Sequence, residues 1–247
     1  PGASIKIYRD LAIPRDTKNR LGEYPHQLMQ TIPFNFRVKK IVLENSFIEY
    51  KERHHISRQA GEIRYHDVNA TISNFTNDKK AIAANNVMTV DMSSRFLDKA
   101  PLKVTAVFYL LHPKGRFSLQ GSFGAMDATL LNPVIEKTGM TSVKKGRVNG
   151  AEFNLKGDDH IIDGTVKMLY EDLKVAALER DSGSTQLDTK ALSSFIVNII
   201  IKNSNPKRNE EVRVAQVHLE RNTNRTFFNF AWKALLKGVT ESVGLKQ

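Results

Sequence analysis

Through most of this chain apolar and polar residues alternate with a period of two, and helical spacing appears clearly only in the last quarter. A period of two sends successive side chains to opposite faces of an extended backbone, so one face can be buried while the other stays in water. Residues 186–201, QLDTKALSSFIVNIII, instead place Ala191, Leu192, Phe195, Ile196, Ile199 and Ile200 at helical intervals. Residues 224–243, NRTFFNFAWKALLKGVTESV, do the same with Phe227, Phe228, Ala231, Trp232, Leu235, Leu236 and Val239. The pattern predicts an α+β chain that is mostly β. It would be one long, antiparallel-rich sheet with a few amphipathic helices, the last at the C-terminus.

Residues 1–30 read as an irregular lead-in broken by Pro14 and Pro25, in which HQLMQTI (26–32) fits one helical turn. The remainder, 31–247, reads as one β-rich domain. Strands are expected across 34–178 with a short helix at 131–139, then a helix at 188–202, a strand at 211–221 and the final helix at 224–243. Phe34, Phe36 and Val38 alternate, and Ile41 and Leu43 shift the phase by one, as a bulge or a sheet crossing would. NSFIEY (45–50) then begins a second strand after a turn at Asn45, and TNDKK (76–80) marks a further turn. LKVTAVFYLL (102–111) is apolar on both faces near its end, which calls for a second layer or a ligand over it. In LNPVIEKTG, Asn132 suits an N-cap, Pro133 the first helical position and Gly139 the stop. Asn224 is placed to cap the last helix.

The chain is basic, with a net charge of +11. Three readings fit a basic chain: an ordinary solvated surface, contact with anionic lipid, and nucleic acid. The positive residues fall in scattered groups with acids between most of them, and no nucleic-acid-binding motif appears, so nucleic acid is the least favoured. Without cysteine there is no disulfide and no thiolate-ligated metal. No apolar run reaches the roughly 18 residues of a membrane-spanning helix. No basic-then-apolar leader opens the chain, and any membrane anchor is expected upstream of Pro1.

Catalytic signatures are missing from the sequence. The histidines, His26, His54, His55, His66, His112, His160 and His218, show no zinc-type spacing. Asp158-Asp159-His160 reads as a hairpin turn, and Gly121-Ser122-Phe123-Gly124 is not a nucleophile elbow. There is no phosphate-binding glycine loop. The expectation is therefore a chain that is not an enzyme, with no cofactor and no metal site.

The last helix carries one broad apolar face, and two readings of it stay open. It packs over the sheet as a core cap, or it meets a membrane surface or a partner with Trp at the interface and Lys snorkelling. The contact candidates are Phe227, Phe228, Trp232, Leu235, Leu236, Lys233 and Lys237.

Several stretches resemble the carboxy-terminal region of AsmA-like bacterial envelope proteins, the group that includes TamB relatives, in the form found in Bacteroidetes. They are TIPFNFRVKKIVLENSFIEYKER (31–53), GEIRYHDVNATISNFTN (61–77), APLKVTAVFYL (100–110), GRFSLQGSFGAMDATLLNPVIE (115–136), DGTVKMLYEDLKVAAL (163–178) and VRVAQVHLERNTNRTFFNFAWKALLKGVTESVG (212–244). The resemblance implies a periplasmic domain of an anchored envelope-biogenesis protein whose long curved sheet forms an apolar groove or an incomplete barrel and sequesters or moves lipid. It implies a phospholipid or other envelope lipid as ligand and an inner- or outer-membrane protein as a further partner, and it brings no catalytic residues. Groove candidates are Val104, Ala106, Phe108 and Leu110 with Phe117, Leu119 and Phe123 on the next strand, against the alternative that these form an ordinary core under helices. A structural or interaction module, docking through its sheet edge or its last helix, is the other reading.

Overall fold

The computed structural model of the chain describes residues 2–13, 17–53, 59–138, 141–179, 195–199 and 201–244. It is α+β and mostly β, built on one open sheet that does not close into a barrel. The strands are β1 (Ser4–Asp10), β2 (Arg37–Arg53), β3 (Ala60–Thr76), β4 (Val87–Phe96), β5 (Ala100–Tyr109), β6 (Phe117–Phe123), β7 (Met126–Asp127), β8 (Thr141–Gly157), β9 (Ile161–Glu179), β10 (Phe195–Ile199) and β11 (Ala215–Glu220). The helices are α1 (Pro25–Gln30), α2 (Lys79–Ala84), α3 (Asn132–Thr138) and α4 (Phe227–Ser242). The sheet order is β1-β2-β3-β4-β5-β6-β8-β9-β10, with β11 also beside β9 and β7 beside β8. Neighbours are antiparallel except β1, which runs parallel to β2 and is joined to it through the crossover that carries α1.

Two long hairpins flank a short middle. β4 meets only residues 65–73 of β3, and β6 meets only residues 151–157 of β8. The far arms of β3 and β8 therefore project past β4–β6, and α3 lies between them. Leu131, just before α3, and Ile135 within it join one cluster with Ile63 of the first arm and Tyr65 at its base, and with Val143 and Val148 of the other arm. Asn132 fixes this plug by accepting from the Val143 amide and donating to the Val143 carbonyl, both at 2.8 Å.

One face of the sheet is polar. Asp91, Thr105, Gln120, Asn154, Thr165 and Gln216 lie side by side across it from β4 to β11. The helices cover the other face, as expected of an antiparallel sheet with one wet side. Two apolar clusters form beneath them. The first gathers Phe108, Phe117, Leu119 and Leu155 under Tyr24 and Met29 of the α1 region, Ile82 of α2, and Phe227, Phe230 and Ala234 of α4. The second gathers Phe96, Ala100, Met126, Val148 and Tyr170 beside α3 and the end of α4.

Several sequence expectations are corrected. The helix expected over 188–202 does not form where it is described: Phe195–Ile199 is a strand paired antiparallel with Val175–Glu179, Ile201 and Lys202 are irregular, and 188–194 and 200 lie outside the described residues. A short run of Phe, Ile and Val satisfies helical spacing and strand propensity together, and the long arm of β9 offers it an edge. The lead-in is not wholly irregular, because residues 4–10 form β1. No second strand starts at Asn45: β2 continues through it, with Asn45 at φ 45° where the register shifts. The turn at 76–80 already contains the start of α2, whose first turn Asp78 caps by accepting from the Ala81 amide at 2.7 Å. Thr226, not Asn224, caps α4.

Candidate functional site

Of the seven groove candidates, five are core. Ala106, Phe108, Leu110, Phe117 and Leu119 are all buried in the first cluster, and Phe117 is fully enclosed. A nest of rings closes over them: Phe227 meets Phe117 and Tyr24 edge-to-face at 5.0 Å and 5.1 Å and lies tilted 5.5 Å from Phe108. These five form no open trough, because α1 and α4 occupy the space above them. Phe123 is half-buried against the second cluster, 5.4 Å from Phe96. Val104 alone belongs to neither cluster and is half-exposed.

Val104 marks a strip that the sequence did not single out. The pairing registers set Leu43, Ala70, Met92, Val104, Gly121 and Phe153 in one row across β2, β3, β4, β5, β6 and β8. This row is on the same face as the two clusters and runs between them. At β8 it ends under the ring of Phe153, which fills the space a side chain at Gly121 would need. From β2 to β5, Leu43, Ala70, Met92 and Val104 are half-buried and belong to neither cluster. At ordinary strand spacing this uncovered stretch spans roughly 14 Å. A shallow depression of about 440 Å³ lies over these strands, lined by both faces at Val42–Glu44, Asn69–Thr71, Asp91–Ser93 and Lys103–Thr105.

The last helix stands over β9 and β11, beyond the Phe153 end of the row. Its core side is Phe227, Phe230, Ala234, Gly238 and Ser242. Gly238 lets the helix settle directly on Val166 and Val217, since a Cβ there would overlap both. Lys237 turns toward the outer strand, donating to the His218 carbonyl of β11 at 2.9 Å, with Glu241 at 3.9 Å. By helical geometry the opposite flank, away from β11, carries Leu235, Phe228, Val239, Trp232 and Leu236. Phe228, Trp232 and Leu236 are 73%, 51% and 41% exposed. The contact candidates thus divide: Phe227 is core, Leu235 is half-buried, Phe228, Trp232, Leu236 and Lys233 are exposed, and Lys237 is tied to β11.

A polar knot pins α1 over the first cluster. Arg221, fully buried, donates to the Asp159 carboxylate at 3.2 Å and to the Arg20 carbonyl at 2.7 Å, and stacks 4.3 Å over the Tyr24 ring. Tyr24 donates to the Asp158 carbonyl at 2.7 Å, and Gln27 to Asp159 at 3.0 Å. Asp158 also organises its turn as expected, accepting from the amides of His160 and Ile161. The histidines do not gather: among the described residues no group of three or more His, Asp or Glu could hold a metal, and His54 and His55 lie outside them. No helix among the described residues is long and apolar enough to cross a membrane.

Comparison with protein-family models, with curated proteins and with solved structures found no match for this chain. The resemblance to AsmA-like proteins rests on the quoted stretches alone.

Proposed function

We propose that this chain is a non-enzymatic, periplasmic domain of a larger bacterial envelope-biogenesis protein that binds or conveys lipid along the apolar strip of its sheet. The observation that carries this reading is the uncovered row Leu43, Ala70, Met92 and Val104, which continues through Gly121 and Phe153 to Val166 beneath α4, a helix whose Phe228, Trp232 and Leu236 are also unburied. Apolar surface of this kind is stabilised by a cover, and an acyl chain laid across the strands suits a strip that is one residue row wide. The basic surface would favour an anionic head group at the rim.

Native mass spectrometry of the detergent-free protein, followed by solvent extraction, tests the reading. Phospholipid should co-purify at a defined stoichiometry, and the variant Met92→Asp with Val104→Asp should lose it while keeping its circular dichroism. A bare protein mass, with no lipid taken up from phospholipid vesicles, would overturn it. Phe108 and Phe117 are unsuitable for this test, since a charge at either buried position would unfold the first cluster.

The exposed stripe of α4 favours a second reading, in which the helix docks on a partner. Because the same helix covers the core with Phe227, Phe230 and Ala234, deleting 224–247 would not isolate docking. Phe228→Ser with Leu236→Ser would, leaving the core side intact.

A further inference from the structure

β2 has two halves with different outer neighbours. Over Phe47–Arg53 it is paired with β1. Over residues 37–44 no described strand lies on that side, so alternate backbone amides and carbonyls point outward without a strand partner. Gly2 rests against the Glu44 and Asn45 carbonyls, which marks where the line of β1 stops. The free half-edge reads Arg37-Val38-Lys39-Lys40-Ile41-Val42-Leu43-Glu44, with Val38 and Val42 37% and 50% exposed.

We infer that this half-edge is a docking site for an extended, acidic segment of a partner protein, which adds to the sheet as a strand in line with β1. Two observations choose that occupant. Arg37, Lys39 and Lys40 are exposed and form no ion pair among the described residues, as are Lys79 and Lys80 just beyond the Arg37–Thr76 pair. The acids close by are Glu44 at the far end and Asp78, which is engaged in capping α2. Second, an edge pairing with its own copy would set these bases against each other, a like-charge arrangement that disfavours self-association. The lysines that repel a second copy attract carboxylates, and the backbone supplies the hydrogen bonds. This site lies on the sheet edge and does not depend on lipid in the strip.

A fluorescently labelled ten-residue peptide of alternating Val and Glu is the probe, with the Val/Lys peptide as control. Anisotropy should show binding of the acidic peptide alone, weakening with added salt, and hydrogen exchange should show new protection at residues 37–44. Lys39→Glu with Lys40→Glu, both exposed, should weaken binding about tenfold or more. The inference is overturned if the acidic peptide binds nowhere, if protection falls on another strand, or if the charge-reversed variant binds it equally well. Self-association seen by sedimentation, with hydrogen exchange showing 37–44 protected in the associated species, would overturn it as well.

Discussion

His26 sits in α1 with its ring 5.0 Å from that of Phe108, buried, and neither ring nitrogen has a hydrogen-bond partner. Burial lowers its pKa to about 4, with Asp159 acting in the opposite direction and His112 adding to the lowering. In the unfolded chain it would titrate near 6.5. Between those values the unfolded state binds a proton that the folded state does not, so this residue's contribution is complete above pH 6.5 and is lost as pH falls to 4. The loss amounts to roughly 3 kcal/mol. Urea unfolding of the protein and of His26→Leu at pH 7 and pH 4 should show the variant's profile flatter by about that amount. Equal slopes would mean that His26 is solvated or paired. Arg221 makes a second residue-level case. Arg221→Met leaves Asp159 buried with Gln27 as its remaining side-chain donor, and should cost about 3–5 kcal/mol. Adding Asp159→Asn should cost much less than the sum of the two single changes, as denaturant unfolding of the four proteins would reveal. Neither residue was legible in the sequence as part of a knot. Asp159 reads as a turn residue and Arg221 as a strand-end base, and only the fold joins them across 62 positions.

At the scale of elements, α4 was legible because its apolar positions recur at helical intervals over several turns. The division of that broad face was not. Phe227 and Phe228 are equivalent by type, yet one is 5% and the other 73% exposed. Phe230→Ala should therefore cost about 3–5 kcal/mol, while Phe228→Ala should stay within about 0.5 kcal/mol. Gly238→Ala should destabilise despite its better helix propensity, because overlap with Val166 outweighs a gain of about 1 kcal/mol. Thermal unfolding of the three variants ranks them directly, and a stabilised Gly238→Ala would show that α4 sits farther from β9 than described. β10 was misread for the converse reason. Its apolar run is too short for periodicity to decide, and pairing with β9 decides it. β1 was overlooked because its five exposed and two half-buried residues bury no face, and its place comes from backbone pairing with β2.

For the molecule as a whole, the alternation of side chains between sheet faces was readable, but coverage was not. Phe117 and Met92 both point to the helix-bearing face, and nothing in either local sequence says that Tyr24 and Phe227 roof the first while the second lies open. Coverage is set by where α1, α3 and α4 land, and those positions depend on contacts such as Arg221 with Asp159 and Asn132 with Val143. The row continues from Phe153 to Val166 under α4, which puts a reporter at that end: Trp232 is the chain's single tryptophan and is 51% exposed on the flank that turns away from β11. Lipid laid along the strip should dehydrate that indole, shifting its emission to the blue and shielding it from acrylamide. Phospholipids brominated along the acyl chain should quench it on contact. With Met92→Asp and Val104→Asp, both responses should vanish if lipid occupies the sheet, because the acyl chain loses its floor. They should persist if α4 instead lies on a bilayer by its own Phe228, Trp232 and Leu236. An unaltered spectrum in the wild-type protein, at lipid concentrations that saturate a known lipid carrier, would leave the strip without an acyl ligand.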